Sequence, residues 1–526
     1  MTPEDWIAHD PDPMTAAELA RCDAAELAAK FARPLSFGTA GLRGPVRGGP
    51  DAMNLAVVLR ASWAVATVLT GRGLTNSSVI VGRDARHGSA SFATATAEVF
   101  AAEGLSVTLL PHPVPTPVLA FAVRQTGAAA GIQITASHNP PADNGYKVYL
   151  DGGMQIVSPT DREIETAIAA APFADQIARS PVTADDPALV QRYIARAARV
   201  RRSSSSPVRV ALTPLHGVGG EVAVETLRRA GFTDVHTVAT QFTPDPDFPT
   251  VTFPNPEEPG ATDALLALAT EADADVAIAL DPDADRCAVG IPTPTGWRML
   301  SGDETGWLLG DYILSQIDPA DRTSSVVAST VVSSRMLSMI AAHWGARHVE
   351  TLTGFKWLAR ADADLPGSTL VYAYEEAIGH CVDPAAVRDK DGISAAVLVC
   401  DLVATLRDAN RSVGDALDDL AHRFGVHAGA AVSRSVSDAG EAAALMRRFR
   451  AAPPTRLAGF DVTTTDLIPQ TDALIFAGGD ADTRARVVVR PSGTEPKVKF
   501  YIEATSGDRH RATALRDELT AAVRDL

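Results

Sequence analysis

Three segments of the chain repeat one alternation of apolar and polar positions: an apolar strand, a polar loop, an amphipathic helix, a glycine turn and a second apolar strand. The first runs from Val79-Ile80-Val81 through a helix over 88–103 and Gly104 into Val107-Thr108-Leu109. The second starts at Val208-Arg209-Val210, passes a helix over 220–230 and Gly231, and ends in Val235-His236-Thr237. The third joins Val326-Val327-Ala328, through a helix over 333–344 and Gly345, to His348-Val349-Glu350. Strands that alternate with helices at this spacing run parallel, so the pattern predicts three related α/β domains. Arg199 to Pro207, rich in arginine and serine, reads as a linker. Beyond about residue 425 the period changes. A helix near 438–451, the apolar run Ala473-Leu474-Ile475-Phe476 and the strand pair 486–489 and 498–501 predict a smaller α+β domain. The expected domains are 1–200, 207–308, 309–425 and 426–526.

Composition supports several cores, since 526 residues with 46% hydrophobic content have room for three or four domains. A net charge of -17 repels phosphate polymers and sets nucleic acid aside as a partner, while small anions can bind where positive charge is local. Cys22, Cys287, Cys381 and Cys400 have neither metal-type nor disulfide-type spacing and read as buried free thiols in a reducing compartment. Charges such as Arg60 and Asp401 interrupt the long apolar segments, and Met1 to Trp6 has no basic region leading into an apolar stretch. A cytoplasmic protein with no membrane partner is expected. Only six lysines stand against 41 arginines. Five of them, Lys147, Lys356, Lys390, Lys497 and Lys499, fall in what read as short Gly-, Asp- or Ser-rich loops, where a compact, titratable ammonium does what a guanidinium cannot.

Three motifs carry candidate chemistry. The run Gly131-Ile132-Gln133-Ile134 leads into Thr135-Ala136-Ser137-His138-Asn139-Pro140, with Asn144-Gly145-Tyr146-Lys147 just behind. That places the Ser137 hydroxyl at a strand end in a stiff polar loop, where it can carry a phosphoryl group; the same residues also suit an ordinary strand exit. Asp281-Pro282-Asp283-Ala284-Asp285-Arg286 follows the strand 276–280. Its three carboxylates repel one another unless a cation sits among them, and hard oxygen donors select Mg²⁺ or Ca²⁺. An EF-hand is excluded, because Arg286 and Pro292 stand where that loop requires Gly and Glu. A solvated acidic turn and the Asp-x-Asp nucleophile of the aspartyl-phosphate enzymes remain as other readings. Finally, Arg490-Pro491-Ser492-Gly493-Thr494, with Lys497 and Lys499 nearby, offers a guanidinium, hydroxyls and backbone N–H groups to an oxyanion. Phe37-Gly38-Thr39-Ala40-Gly41-Leu42-Arg43-Gly44 is a second Gly-rich loop with one arginine. Each of these two loops also fits a plain turn or hinge.

In this order, and with Val81-Gly82-Arg83-Asp84, Gly302-Asp303-Glu304, Thr353-Gly354-Phe355-Lys356, Glu375-Glu376-Ala377-Ile378-Gly379 and Arg388-Asp389-Lys390-Asp391-Gly392, the chain resembles the α-D-phosphohexomutase superfamily over nearly its whole length. The resemblance implies three related α/β domains with mixed sheets and a smaller C-terminal α+β domain around a central cleft, the last domain closing over it. It implies reversible transfer of a phosphoryl group on sugar phosphates, hexose 1-phosphate to hexose 6-phosphate, through a phosphoserine at Ser137 and a bound hexose bisphosphate. Mg²⁺ would be held by Asp281, Asp283, Asp285 and the phosphate on Ser137. Arg43, His138, Lys147 and Arg286 would line the transferring group, with Lys147 or Lys390 as general base or acid, a nearby cation lowering the ammonium pKa. Thr39, Thr353, Lys356, Glu375 and Glu376 would bind the sugar phosphate, and Arg490, Ser492, Gly493, Thr494 and Lys499 would grip the phosphate that is not reacting. A catalytic amount of hexose bisphosphate as activator and a monomer or weak dimer complete the expectation.

The commonest sugar loop of that superfamily reads Gly-Glu-x-Ser, whereas Tyr374 precedes Glu375 here and Ala377 takes the serine position. With Thr213 to Gly219 and Pro254 to Pro259, this resembles the branch of type-2 phosphoglucomutases and phosphopentomutases, alongside bacterial phosphomannomutases. Glucose, mannose and pentose substrates all stay open at this point. So do a catalytically silent binding homologue and an aspartyl-phosphate phosphotransferase.

Overall fold

The computed structural model describes residues 1–38, 41–150, 152–185, 188–492 and 497–526. They form two compact units: Met1–Leu300 with Ala377–Thr405, and Ser301–Glu376 with Leu406–Leu526.

The first unit is built on two sheets. In one, the strands follow the order Leu42–Pro45, Asp143–Leu150, Ala130–Ile134, Ser78–Arg83, Ser106–Leu109. The last three pair in parallel, and Asp143–Leu150 runs antiparallel to both of its neighbours. The second sheet has Val210–Thr213 parallel to Val235–Thr237 and to Val276–Leu280, and an antiparallel hairpin, Cys287–Thr293 and Gly296–Met299, continues it. Ala130–Ile134 and Val276–Leu280 are buried at every residue, each between one parallel and one antiparallel neighbour, and the buried Gln133 donates to the Val114 carbonyl at 2.9 Å. These two central strands end at the serine loop and at the aspartate triplet.

The second unit has three parallel strands, Arg347–Thr351, Ser325–Thr330 and Thr369–Glu375. Its other sheet is antiparallel, in the order Val426–Ser435, Lys497–Ser506, Thr483–Pro491, Leu474–Gly479, Phe460–Asp466, Arg456–Leu457. Helices Ala439–Ala451 and Arg509–Arg524 cover its apolar face.

In all three repeats the two strands pair in parallel as the pattern requires. Two elements start two or more residues later than expected, each because a side chain takes a backbone donor. The strand expected from Val208 begins at Val210, since the Arg209 N–H donates to the Asp275 carboxylate at 2.7 Å. The helix expected from residue 333 begins at Met336, because the N–H groups of Ser333, Ser334 and Arg335 go to Thr330, Asp303 and Glu503. The linker 199–207 is anchored by Asp401, which accepts from the N–H groups of Arg202 and Ser203 and from the Ser203 hydroxyl. Three N-terminal helices, Pro3–Ala8, Pro13–Ala20 and Ala24–Ala32, and the helix Arg509–Arg524 lie outside the repeats and were not expected. Among the described residues no helix is long and apolar enough to cross a membrane.

Candidate active site

Ser137 closes the exit of a buried strand with φ 54°, in the left-handed region that non-glycine residues rarely enter. Its N–H donates to Thr135 Oγ1 at 2.9 Å. Beneath the loop, the buried Arg86 guanidinium donates to the carbonyls of Ser137 and Asn139 at 2.6 Å each, and to those of Pro140 and Asp143. Asp84 faces the same guanidinium at 3.4 Å and accepts from the Ser89 hydroxyl at 2.6 Å. One cation thus fixes four carbonyls of a turn that has no ladder of its own. Arg43 reaches the loop from the edge strand, donating to Asn139 Oδ1 at 3.0 Å.

The Ser137 hydroxyl donates to Asp281 Oδ2 at 2.9 Å and lies 3.2 Å from His138 Nδ1. Asp281, Asp283 and Asp285 are all buried, and each offers an oxygen within 4.8 Å of the others. The Lys147 ammonium donates to Asp283 Oδ2 at 2.7 Å and to Asp285 Oδ2 at 3.0 Å; Lys390 Nζ lies 3.4 Å from the same Asp285 oxygen. Thr116 also donates to Asp283. Gly392 lets the chain carrying Lys390 approach, since a Cβ there would meet the Arg286 carbonyl oxygen at 2.3 Å. Tyr149 and Gln155 each donate to Asp389 Oδ2 at 2.8 Å, which fixes the residue before Lys390.

Burial, then repulsion from Asp283 and Asp285, pushes the Asp281 carboxyl well above the usual carboxylate range. Burial pushes Asp285 up as well, but Lys147, Lys390 and Arg286 outweigh it and hold Asp285 below that range. The His138 imidazole is depressed well below its ordinary value by burial and by Arg286 and Arg43, which leaves it neutral near pH 7. Lys147 corrects the sequence reading twice. It lies in the strand Asp143–Leu150 and not in a loop, because its polar end finds two carboxylates inside the fold. Burial presses its ammonium down, but Asp283 and Asp285 outweigh burial and raise it above its ordinary value, opposite to the lowering expected. Lys499 also lies in a strand and Lys356 in a short helix, so the lysines do not mark loops.

The triplet fits a divalent cation. The Oδ1 atoms of Asp283 and Asp285 are buried and make no hydrogen bond, and an all-oxygen donor set suits a hard ion.

Glu375, Glu376, Thr353, Lys356, Arg490, Ser492 and Lys499 lie in the second unit. Glu375 ends the strand Thr369–Glu375, and Glu376 Oε2 accepts from the hydroxyls of Thr330 and Ser333 at 3.0 Å each. Thr353 precedes Gly354, whose φ of 106° turns the chain into the short helix that carries the buried Lys356. Arg490 pairs in register with Lys499 across the antiparallel hairpin, and the Ser492 N–H donates to the Lys497 carbonyl at 2.8 Å. Tyr501, in the same hairpin, was not expected here. Burial, then the charge of Glu376, raises its phenol, which is hydrogen-bonded to Arg490. Thr39, Gly493 and Thr494 lie outside the described residues.

Four stretches of the chain match the phosphoglucomutase/phosphomannomutase family: its alpha/beta/alpha domain I at 34–175, domain II at 191–294, domain III at 301–424 and the C-terminal domain at 479–522. A Haemophilus influenzae protein named "Probable phosphomannomutase" is 41% identical over 90% of this chain and 97% of its own length. The phosphopentomutase of Mus musculus is 33% identical over 99% of this chain and 93% of its own. The solved structure of a phosphoglucomutase/phosphomannomutase family protein from Burkholderia thailandensis shares the fold, with a TM-score of 0.71 at 20% identity over 93% of this chain and 97% of that one.

Proposed function

Because the chain belongs to the phosphoglucomutase/phosphomannomutase family, we propose that it is a phosphosugar mutase that interconverts hexose 1-phosphate and hexose 6-phosphate through phospho-Ser137. The observation that carries this reading is the Ser137 hydroxyl, buried at the end of a strained turn and 2.9 Å from a carboxylate of the buried triplet. A serine held there is poised to accept and return a phosphoryl group.

Transfer of a phosphoryl group needs position and charge neutralisation more than covalent assistance. Arg86 fixes the serine's own carbonyl and that of Asn139, so Oγ is placed before substrate arrives. Arg43, Arg286 and Lys147 bring positive charge to one spot, and the neutral His138 offers a ring nitrogen to the hydroxyl. Mg²⁺ held by Asp281, Asp283 and Asp285 would neutralise charge on the transferring oxygens. Lys390 and Lys147, both on Asp285, are the groups that would exchange a proton with the attacking sugar hydroxyl. In the other unit, Glu375, Thr353 and Lys356 would hold the sugar, and Arg490, Ser492 and Lys499 would grip the second phosphate. A hexose bisphosphate activator, a monomeric or weakly dimeric state and a cytoplasmic location belong to the same reading.

A pentose substrate is the second reading, favoured by Ala377 in the sugar loop and by the phosphopentomutase among the relatives. A coupled assay with glucose 1-phosphate, mannose 1-phosphate and ribose 1-phosphate, each with Mg²⁺ and a catalytic amount of glucose 1,6-bisphosphate, decides between them. Conversion of a hexose phosphate with the highest kcat/KM supports the first reading, and preference for ribose 1-phosphate replaces it with the second. No conversion of any of the three contradicts both.

A further inference from the structure

In sequence Lys390 stands between two carboxylates, Asp389 and Asp391, and each of these is held by a buried tyrosine from a different element. Asp389 Oδ2 accepts from the Tyr149 phenol and the Gln155 amide at 2.8 Å each. Its Oδ1 accepts from the Lys390 N–H at 2.8 Å and lies 3.8 Å from the Lys390 ammonium. Asp391 Oδ1 accepts from the Tyr193 phenol at 2.7 Å. It also accepts from the N–H groups of Ile393 and Ser394 at 3.1 and 3.0 Å, which caps the helix Gly392–Asp408. The Asp391 N–H in turn donates to the His380 carbonyl at 2.8 Å.

Tyr149 is two residues from Lys147 on the strand Asp143–Leu150, so the two side chains leave the same face. That face serves both ammonium groups. Lys147 donates directly to Asp285 Oδ2 at 3.0 Å, and Tyr149 holds the carboxylate beside Lys390, whose ammonium lies 3.4 Å from that same oxygen. Tyr193 comes from the helix Ala188–Ala197, where Phe121 packs edge-on to its ring at a centroid distance of 5.7 Å. One turn on, Arg196 forks onto Asp383 with bonds of 2.6 and 2.8 Å, fastening the helix to the segment that leads into Lys390. Burial and the charges of Asp389 and Asp391 raise the phenols of Tyr149 and Tyr193 well above their ordinary value, so both remain donors. All of these residues belong to the first compact unit.

We propose that Tyr149 and Tyr193 are positioning residues for Lys390: through Asp389 and Asp391 they hold its ammonium on the Asp285 oxygen that Lys147 shares, where a sugar hydroxyl exchanges its proton. The proton exchange rests on the mutase reading, but the seat of the lysine does not. A lysine ammonium rides on a flexible four-carbon stem, so it keeps its place only if the backbone beneath it is fixed. The two tyrosines fix that backbone from either side. Asp389 is left with one side-chain donor on Oδ2 when the Tyr149 hydroxyl is removed, whereas Asp391 keeps two backbone donors on Oδ1 when Tyr193 loses its own. Tyr149 therefore carries the larger share.

Tyr149→Phe and Tyr193→Phe, each alone and in a Lys390→Ala background, test it. Tyr149→Phe should lower kcat about 10-fold with KM for the sugar phosphate within about twofold of wild type, and Tyr193→Phe should lower kcat about 2- to 5-fold. The solvent deuterium isotope effect on kcat should grow in both, because proton transfer is the step that has been slowed. In the Lys390→Ala background neither change should cost anything further. Losses of equal size in both backgrounds, an isotope effect that does not grow, or an unchanged kcat in both single variants overturn the positioning role. Hydrogen exchange of the whole protein supplies a readout that needs no substrate. Tyr149→Phe should speed exchange at the Lys390 N–H, whose acceptor is Asp389, and unchanged exchange there overturns the seat. Faster exchange in a protein that converts no sugar phosphate would instead overturn the mutase reading and leave the seat standing. If Tyr149→Phe proves too unstable to assay, Gln155→Met, which removes the other donor to the same Asp389 oxygen, is read in the same ways.

Discussion

The two compact units differ in how they hold charge. In the first, three carboxylates, two ammonium groups and the Ser137 hydroxyl are buried and in hydrogen-bonded or ion-pair contact, drawn from positions 137 to 390 of the chain. In the second, Glu375, Arg490, Ser492 and Lys499 are half-buried and stand at strand ends and in a hairpin. Chemistry on a phosphoryl group calls for fixed charges shielded from water, where each is worth more than in solvent. Holding a substrate that must present either end calls for accessible groups on a framework that stays together.

The sharpest way to break this contrast is to remove the nucleophile. Ser137→Ala should lower turnover by ~1000-fold or more, the scale on which loss of a covalent nucleophile is felt, while substrate affinity stays near the wild-type value. Retained mutase activity would mean that the first unit is not the chemical one. Asp283→Asn should reduce kcat by ~100-fold or more and flatten its dependence on Mg²⁺ concentration, since one charged oxygen donor is lost; an unchanged Mg²⁺ titration would remove the metal role from the triplet. Arg490→Ala, in the second unit, should raise KM by about 10- to 100-fold with a smaller change in kcat, as expected for the loss of charged hydrogen bonds worth ~1.5–3 kcal/mol. A loss in kcat alone would place Arg490 with the chemistry.

The smallest effect is on stability. Burial raises the Asp303 carboxyl to about 7. A carboxyl raised in the folded state contributes fully below its unfolded value, near ~3.9, and loses that contribution as pH climbs through about 7. Wild-type protein should therefore lose stability relative to Asp303→Asn by at most ~1.4 kcal/mol per pH unit in that window. Urea unfolding at about pH 5 and about pH 8 reads the difference, and parallel pH profiles would show that Asp303 ionises as an ordinary carboxyl.

Much of the framework was legible because period is legible: the three strand–helix–strand repeats come from apolar spacing, and separate runs at 131–134 and 276–280 lead into Ser137 and the triplet. What escaped has a common cause. Lys147 reads as a loop lysine because nothing in its neighbourhood announces Asp283 and Asp285, more than a hundred residues on. Arg86 had no signal at all, since its partners are backbone carbonyls that any sequence supplies. The helix after Thr330 starts late because Asp303 and Glu503 take its first donors, and Tyr501 looks like any strand aromatic until Arg490 and Glu376 are seen around it. Local pattern carries the elements; polar partners distant in sequence carry the corrections.

Incubating the purified protein with glucose 1,6-bisphosphate and Mg²⁺, mapping the phosphoryl group by peptide mass spectrometry and then chasing with a sugar monophosphate follows the proposed reaction at its first bond. Acid-stable phosphate on Ser137 that is discharged into sugar bisphosphate by the chase is the expected result. An acid-labile phosphate on Asp281, or a phospho-Ser137 that no sugar phosphate discharges, would contradict it.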